Sequence, residues 1–327
     1  MRLIIRSTQA ARGTGAACGA RAAGATGLAA ILACLAPSAV FAAAAPGAAH
    51  CTNGRAAQRS MLESEYAFGE TAKSSVRRAF LEYLADNSVV LNPDPERGRA
   101  VYLAAKESNN QLEWYPTLAD VASGGDLGFT EGPYTFTVVE SGKQFHGHFL
   151  TVWKRDTSCT WRVEFDGGVS HPAPSSSEPK LVPNLAPFNP TAPPPPTLVT
   201  ADAASRAIAE FQRTAQQDGL AAALRTYGRD FDFLLMTDEQ SPVGIGEATT
   251  YLETHAMTGA WKEAIRGQSV DSSIAYSVGR LMDGTDLGTH AYAQIWQFDP
   301  KVANWGLRVL LINPLPQAKP LPPQKAK

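Results

Sequence analysis

A repeated spacing of tryptophan and glycine constrains the fold of this chain more than any other feature. Gly132 follows Trp114 after eighteen residues, and Gly279 follows Trp261 after the same eighteen residues. Each copy, together with the sequence before it, is more than about 100 residues long, which is enough to bury a core of its own. The spacing therefore predicts two copies of one domain in tandem rather than a solenoid.

The first 45 residues are a predicted signal peptide. Arginines precede an apolar run at 27–41, and small residues follow it at 42–45, an order typical of secretory signals. The run of fifteen residues is shorter than the roughly 20 that a transmembrane helix needs. We therefore expect an exported protein, periplasmic or secreted, without a membrane span after cleavage. A lipoprotein site at Cys34 is the alternative, although little apolar sequence precedes that residue.

Signal cleavage would leave two cysteines, Cys51 and Cys159, in an oxidising compartment. A disulfide between them would close a loop of about 108 residues and stabilise the fold by roughly 4–5 kcal/mol on the chain-entropy model. The alternative is a pair of free thiols. We predict the disulfide.

A Pro-rich stretch at 173–199 divides the rest of the chain, because it can form neither a helix nor a central strand. The sequence thus predicts a first domain at 51–172, a second domain at 200–316 and a disordered tail at 317–327. The net charge of -2 gives no electrostatic reason to expect a nucleic-acid partner.

Both predicted domains place helices before strands, which indicates the α+β class. Helical spacing of apolar residues and alternation of apolar with polar residues define the elements. The predicted helices span 55–68, 76–84, 99–106, 203–217, 220–227 and 247–255, and the predicted strands span 129–139, 147–154, 161–165, 274–281, 290–298 and 305–312.

Five motifs of the first copy resemble the SnoaL-like, nuclear transport factor 2-like superfamily, and are most similar to its secreted bacterial branch of uncharacterised domains. They lie at 84–93, 112–116, 125–132, 147–155 and 161–163. The resemblance covers about 55–172 and is weaker in the second copy. It implies two cone-shaped domains, in which a curved antiparallel sheet wraps helices and leaves a pocket at the wide end.

The resemblance does not carry over the chemistry of the superfamily's isomerases. Their general-base Asp stands before a proline, where this chain has Asn92, and Met236 in the second copy. Their second acid corresponds to Phe149, and to Tyr292 in the second copy. That chemistry needs two carboxylates with separated pKa values, so we predict no catalytic residue. The expectation is a container whose two acids have been lost.

Aromatic and polar residues at these positions are predicted to line the cones, as in small-molecule sites generally. The alternative is that the aromatic side chains simply fill the cones. Asp126 could act as an acid at the pocket rim, or its carboxylate could accept backbone N–H groups where a strand begins. The candidates are Tyr66, Trp114, Asp126, Thr151, Trp153, Tyr292, Gln294 and Trp296.

No metal site, cofactor motif or nucleophilic triad is predicted. His146 and His148 share a strand face, but no third ligand has suitable spacing, so we interpret them as solvated. The leading functional hypothesis is a non-catalytic module that binds a small apolar ligand or a partner. The alternative is a divergent SnoaL-like enzyme of the isomerase, cyclase or dehydratase type. A scaffold whose domains pair within the chain, or in a homodimer, is the third.

Overall fold

A computed structural model describes residues 51–173, 202–257, 259–284, 288–300 and 302–316. The predicted signal peptide, almost all of the predicted linker and the predicted tail lie outside these residues. Residues 51–173 are called the first half below, and residues 202–316 the second half. Within the described residues, no helix is both long and apolar enough to cross a membrane.

The first half consists of three helices and a seven-stranded sheet. Its elements are α1 (Gly54–Ser74), α2 (Val76–Tyr83), β1 (Leu84–Leu91), β2 (Pro95–Arg97), α3 (Gly98–Ala104), β3 (Gln111–Trp114), β4 (Leu118–Val121), β5 (Leu127–Val138), β6 (Lys143–Arg155) and β7 (Trp161–His171). The strand order is β2-β1-β7-β6-β5-β3, and β4 also pairs with β5. Ser75 separates the first two helices, since its extended backbone ends α1 and its hydroxyl accepts the N–H of Arg78 to cap α2.

The second half repeats this order with shorter edges. Its elements are α4 (Ala203–Asp218), α5 (Leu220–Tyr227), β8 (Leu234–Met236), α6 (Ile245–Thr254), β9 (Ala260–Gln268), β10 (Ile274–Met282), β11 (Gly288–Asp299) and β12 (Asn304–Pro314). The strand order is β8-β12-β11-β10-β9. In both halves the first strand runs parallel to the last one, and the remaining neighbours are antiparallel. The predicted α+β class is confirmed.

The paired glycines lie where a neighbouring strand approaches unusually closely. A Cβ atom on Gly132 would lie 2.1 Å from the carbonyl oxygen of Tyr115, and one on Gly279 would lie 2.1 Å from that of Lys262. Neither approach leaves room for a side chain. The repeated spacing therefore reports a repeated close contact between backbones.

Each sheet is apolar on both faces, which explains why its central strands are buried almost without interruption. On β6, Trp153 packs with the helices of the first half, whereas Val152 belongs to a cluster that contains side chains of both sheets. On β11, Trp296 and Ile295 divide in the same way. Because neighbouring residues of a strand point to opposite faces, one strand serves two cores.

Polar contacts also join the two halves at the edges of the shared cluster. The Gln297 side-chain amide donates to Asp120 over 2.6 Å, and the N–H of Gly124 donates to Asp271 over 2.6 Å. Arg280 and Asp94 form an ion pair at 2.9 Å. The described residues of both halves thus make one compact unit.

Two sequence predictions can be scored directly. The Cys51–Cys159 disulfide is confirmed, with 5.5 Å between the Cα atoms. None of the predicted strands covers β1, β2, β3, β4, β8 or β9, and β2, β3, β4 and β8 have only three or four residues each. Leu84, predicted as the last residue of a helix, instead begins β1.

Candidate functional site

A cavity that opens to solvent lies between the helices and the sheet of the first half. It is bounded by the end of β1, by α3 and by the middle of β7. Five aromatic rings and one carboxylate supply its most distinctive surface. These are Phe80, Tyr102, Trp114, Tyr134, Phe149 and Asp166.

Asp166 is the charged group in the wall of this cavity. It lies on β7 opposite Thr151 of β6, whose hydroxyl donates to Oδ2 over 2.8 Å. The side chain is half-buried, and Oδ1 has no hydrogen-bond partner among the described residues. Burial, and to a smaller extent the nearby charge of Glu65, raises the pKa of Asp166 to about 7. The hydrogen bond from Thr151 has the opposite effect and limits the rise. Near neutral pH this carboxyl group can therefore either donate or accept a proton.

Glu65 is a second acid, buried behind the aromatic wall. It lies on α1 with 1% of its surface exposed. Its Oε1 accepts the indole N–H of Trp114 over 2.6 Å, and its Oε2 accepts the indole N–H of Trp153 over 2.9 Å and the hydroxyl of Thr130 over 2.5 Å. Burial raises the Glu65 pKa, and these three hydrogen bonds oppose the rise. Because an indole N–H can only donate, the two tryptophans favour the ionised carboxylate.

Strand register explains how these groups come together. Thr130 of β5 pairs with Thr151 of β6, and Thr151 pairs with Asp166 of β7. Directly paired residues point to the same face of a sheet. The three side chains therefore form a polar row across the concave face, and α1 adds Glu65 to it.

Tyr102 of α3 lies on the cavity wall beside Asp166. Its ring stacks on Phe80, with 4.0 Å between the centroids and 13° between the planes. Burial raises the Tyr102 pKa well above its usual value, and the charge of Asp166 raises it further. The phenol is thus neutral, and it makes no hydrogen bond to another described residue. Both Tyr102 and Asp166 keep polar capacity for a ligand.

Three of the predicted first-half candidates belong to this site. Trp114 lines the cavity, Thr151 holds Asp166, and Trp153 is fully buried, with its indole N–H on Glu65. Tyr66 does not take part, because it lies on the outer side of α1 and is 45% exposed.

Asp126 lies at the contact between the halves rather than at the cavity. Its Oδ2 accepts the N–H of Val270, in the second half, over 2.9 Å, and burial raises its pKa. The carboxylate does accept a backbone N–H, as one interpretation of the sequence proposed, but from the other half of the chain.

Four aromatic rings of the same types, at matching positions, cluster in each half. The Phe68 ring centroid lies 4.9–6.2 Å from the other three in the first half, and the Phe211 ring lies 5.5–6.0 Å from the other three in the second. The rings are Phe68, Tyr83, Trp114 and Trp153 in the first half, and Phe211, Tyr227, Trp261 and Trp296 in the second.

The sheets share a register as well as a topology. The pairing between the last two strands shifts by one residue at Trp153 in the first half and at Trp296 in the second. Counted from this shift, Leu310 of β12 occupies the position of Asp166 in β7. Leu310 is fully buried, so the second half has an apolar side chain where the first has its acid.

Two more positions of the first half, one glycine and one acid, carry aliphatic side chains in the second half. Ile312 occupies the position of Gly168 and is buried against the helices of the second half. Ile208 occupies the position of Glu65, three residues before the shared phenylalanine, and is buried too. The acid, the open space and the second acid of the first half are therefore all replaced by aliphatic side chains.

The predicted candidates of the second half are core residues. Trp296 and Tyr292 are fully buried, and the Tyr292 hydroxyl lies 3.3 Å from Ser277 Oγ. Gln294 accepts the indole N–H of Trp296 over 3.1 Å. A separate hollow lies near Tyr251 in this half, and none of the three candidates lines it.

The interpretation of His148 as a solvated residue is wrong. It is only 9% exposed, and its Nδ1 lies 2.7 Å from Nε2 of His171, which is only 7% exposed. Burial, and to a smaller extent the neighbouring imidazole, lowers the His148 pKa to about 3. His148 is therefore uncharged near neutral pH. His146 remains partly exposed, and the described residues contain no group of three or more metal-ligating side chains.

Sequence analysis missed Glu65, Tyr102 and Asp166. Glu65 carried a usable signal, because it occupies an apolar position of α1 between Met61 and Phe68. Asp166 lies just beyond the predicted end of its strand, and only the register of β6 and β7 shows that it faces the cavity. The expectation that both acids had been lost from the cone is overturned, since Glu65 is buried and Asp166 lies at an accessible hollow.

Comparisons with solved structures return matches that each cover little more than a third of this chain. One is a nuclear transport factor 2-like superfamily protein from Salmonella enterica, with 15% identity, a TM-score of 0.31, and coverage of 38% of this chain and 97% of that one. A ketosteroid isomerase-like protein from Erwinia carotovora has 14% identity and a TM-score of 0.30 over 37% of this chain and 99% of its own.

A third match is a nuclear transport factor 2-like protein with a cystatin-like fold from Novosphingobium aromaticivorans, with 16% identity and a TM-score of 0.30 over 37% of this chain and 85% of its own. No protein-family model matches the chain, and no curated protein matches it. The function must therefore be argued from the cavity itself.

Proposed function

We propose that the first half binds a small, mainly apolar ligand in its cavity and that Asp166 contacts the polar group of that ligand. The supporting observation is Oδ1 of Asp166, which lacks a protein partner at the wall of an aromatic-lined hollow. A carboxylate oxygen that has no protein partner and lies at a cavity wall is free to accept a hydrogen bond from a ligand or to pair with its charge. The second half, with its apolar interior, acts as support in this proposal.

The cavity has the composition of a binding site for a small aromatic or apolar group. Tyr102, Trp114 and Phe149 offer flat apolar surface, and aromatic rings pack on such surface with little loss of side-chain freedom. The hydrogen bonds of Trp114 and Asp166 fix their orientations before any ligand arrives. A preformed site of this kind spends less of its binding energy on ordering.

Native mass spectrometry of the protein purified from cells that export it tests the proposal. We expect the wild type to carry a small molecule that Asp166→Asn loses. Asp86→Asn is the matched control, because Asp86 is 95% exposed and lies outside the cavity; it should keep the molecule. A wild type without any bound molecule, and without response to a panel of small aromatic compounds, would contradict the proposal.

A proton-transfer enzyme is the second candidate, favoured specifically by the Asp166 pKa of about 7 beside open space. A general base works best when its pKa is near the operating pH. Asp166 would take a proton from a carbon next to a ligand carbonyl and later return one. The test follows hydrogen–deuterium exchange at that carbon of 1-indanone by NMR in D₂O. Exchange that is equal in wild type and Asp166→Asn would exclude this candidate.

The wider proposal is an exported tandem protein whose halves are copies of one nuclear transport factor 2-like domain and pair through their sheets. The shared ring cluster, the shared strand shift and the cluster common to both sheets support it. Mass spectrometry of the secreted protein should find an N-terminus near residues 42–46. The isolated second half should aggregate, because its sheet would expose residues such as Ile295 and Val309.

A further inference from the structure

We infer that the ligand of the first-half cavity is an organic cation: a protonated amine carried on an aromatic or apolar body. This inference rests on the proposed function and names the ligand class of the same site. It is carried by the charge and the ring surface of the cavity, taken together.

The charge of the cavity lining is negative. Asp166 lines the cavity, and the neutral Asn92 is among its other polar lining residues. No Lys, Arg or His belongs to the cavity lining within the described residues. The charge that acts on Asp166 most strongly is that of Glu65, which is also negative. The cavity is therefore an acidic site without a cation of its own.

Several groups face Asp166 from the elements that pack around it. Glu65 faces it from α1, Tyr102 from α3 and Thr151 from β6. Burial raises the Tyr134 pKa to about 12, so this cavity phenol is neutral as well. Among the described residues, the charge that acts on Asp166 is the negative one of Glu65, and a cationic ligand would supply the positive charge that is missing.

The aromatic rings of the cavity also favour a cation. Tyr102, Trp114 and Phe149 line the same hollow as the carboxylate. The face of an aromatic ring carries partial negative charge and attracts ammonium groups, most strongly where water is excluded. An ammonium group in the hollow would therefore meet Asp166 and ring faces together. An anionic ligand would instead add negative charge to a site that already holds two carboxylates.

Binding of the cation would be coupled to release of a proton. When Asp166 is protonated, the ammonium group displaces that proton to solvent and pairs with the carboxylate, so charge balances. The Asp166 pKa of about 7 places this exchange between pH 6 and pH 8. Below pH 7 the ionised fraction falls, and the affinity should fall with it, by about tenfold per pH unit. Above pH 8 the affinity should level off.

The experiment uses three probes of similar shape and different charge on the full chain. These are 2-phenylethylamine, 2-phenylethanol and phenylacetate, titrated by NMR and by calorimetry at pH 6, 7 and 8. We expect the amine to bind at least tenfold more tightly than the alcohol at pH 8, and phenylacetate not to bind. At pH 6, calorimetry in two buffers of different ionisation enthalpy should show release of most of one proton.

Two variants separate the possible outcomes. Asp166→Asn should bring the amine down to the affinity of the alcohol, and the exposed control Asp86→Asn should bind like wild type. Equal or tighter binding of the alcohol or phenylacetate in the cavity would overturn the inference and leave the proposed function standing. If none of the three probes shifts the resonances of cavity residues such as Tyr102, both are overturned.

Discussion

The two halves of this chain use one scaffold around different interiors. Both pack a phenylalanine against a tyrosine and two tryptophans, and both shift strand register at the second tryptophan. The first half then places Asp166 and Gly168 on its concave face, whereas the second places Leu310 and Ile312 there. The aromatic-lined cavity of the first half and the aliphatic packing at the matching place in the second half thus differ at a few positions of the last strand.

The difference separates the residues that hold the fold together from the residues that line the cavity. The ring cluster and the close-contact glycines hold the cone together, so they are found in both halves. The acids are costly to bury, and in the first half three hydrogen bonds from Trp114, Trp153 and Thr130 offset that cost at Glu65. In the second half Ile208 stands at this position, and Gln294 accepts the indole N–H of Trp296 instead. Fold and site are separable here, as they are in versatile folds generally.

The disulfide should give the largest difference between the halves, because Cys51 and Cys159 both lie in the first. Cys51→Ser with Cys159→Ser opens a loop of 108 residues and should lower the free energy of unfolding by about 4–5 kcal/mol. Urea denaturation of the full chain, followed by tryptophan fluorescence, measures the change. The single variant Cys159→Ser should lose as much. A loss below about 1 kcal/mol would show that the disulfide does not hold the first half together.

Glu65 should give the next largest effect. Glu65→Ile copies the second half but leaves two indole N–H groups and the Thr130 hydroxyl without their acceptor. We expect a loss of about 2–4 kcal/mol, since the buried isoleucine offsets only part of the unmet hydrogen bonds. The control Glu63→Ile changes an exposed residue of the same helix and should cost under about 0.5 kcal/mol. Equal effects of the two variants would mean that Glu65 is not tied into the site.

The amino-acid sequence was enough to predict the repeated spacing but not the residues of the cavity. The Trp–Gly spacing predicted the repeat because a close contact between backbones requires a glycine at a fixed position in each copy. The site is different. Asp166 meets Thr151 through strand pairing, and Glu65 meets Trp153 across 88 residues. Neither contact follows from local pattern, because one residue of register decides which face a strand residue occupies.

Asp126 and Tyr66 show the opposite error. Asp126 was a candidate because it lies in the motif most similar to the superfamily, yet its carboxylate holds the N–H of Val270 across the two halves. Tyr66 was a candidate as an aromatic residue on a helix that faces the cone, yet its own direction on α1 is outward. The motif located the loop of Asp126, and the sequence pattern located α1, but neither predicted the partners of these side chains.

The dependence of stability on pH should distinguish the halves with a smaller effect. The Asp166 pKa is raised in the folded state to about 7, so between pH 4 and pH 7 the folded chain holds a proton that the unfolded chain has lost. Stability from this group is therefore lost as pH rises through that window. From pH 5 to pH 8 the wild type should lose about 2 kcal/mol more than Asp166→Asn. Urea denaturation at both pH values measures the difference. Parallel profiles for the two proteins would show that Asp166 is ionised throughout.

Tyr66→Ala should give the smallest effect and sharpens the comparison from the other side. Glu65 and Tyr66 are neighbours in sequence, but one is 1% exposed and the other 45% exposed. Removing a largely exposed ring should change the free energy of unfolding by less than about 0.5 kcal/mol, and it should leave the binding of 2-phenylethylamine unchanged. Thermal unfolding and NMR titration measure both quantities. If Tyr66→Ala instead weakened binding as much as Asp166→Asn does, α1 would have to present its other face to the ligand. The first cone would then differ from the second in how its helix is oriented, and not only in which side chains fill it.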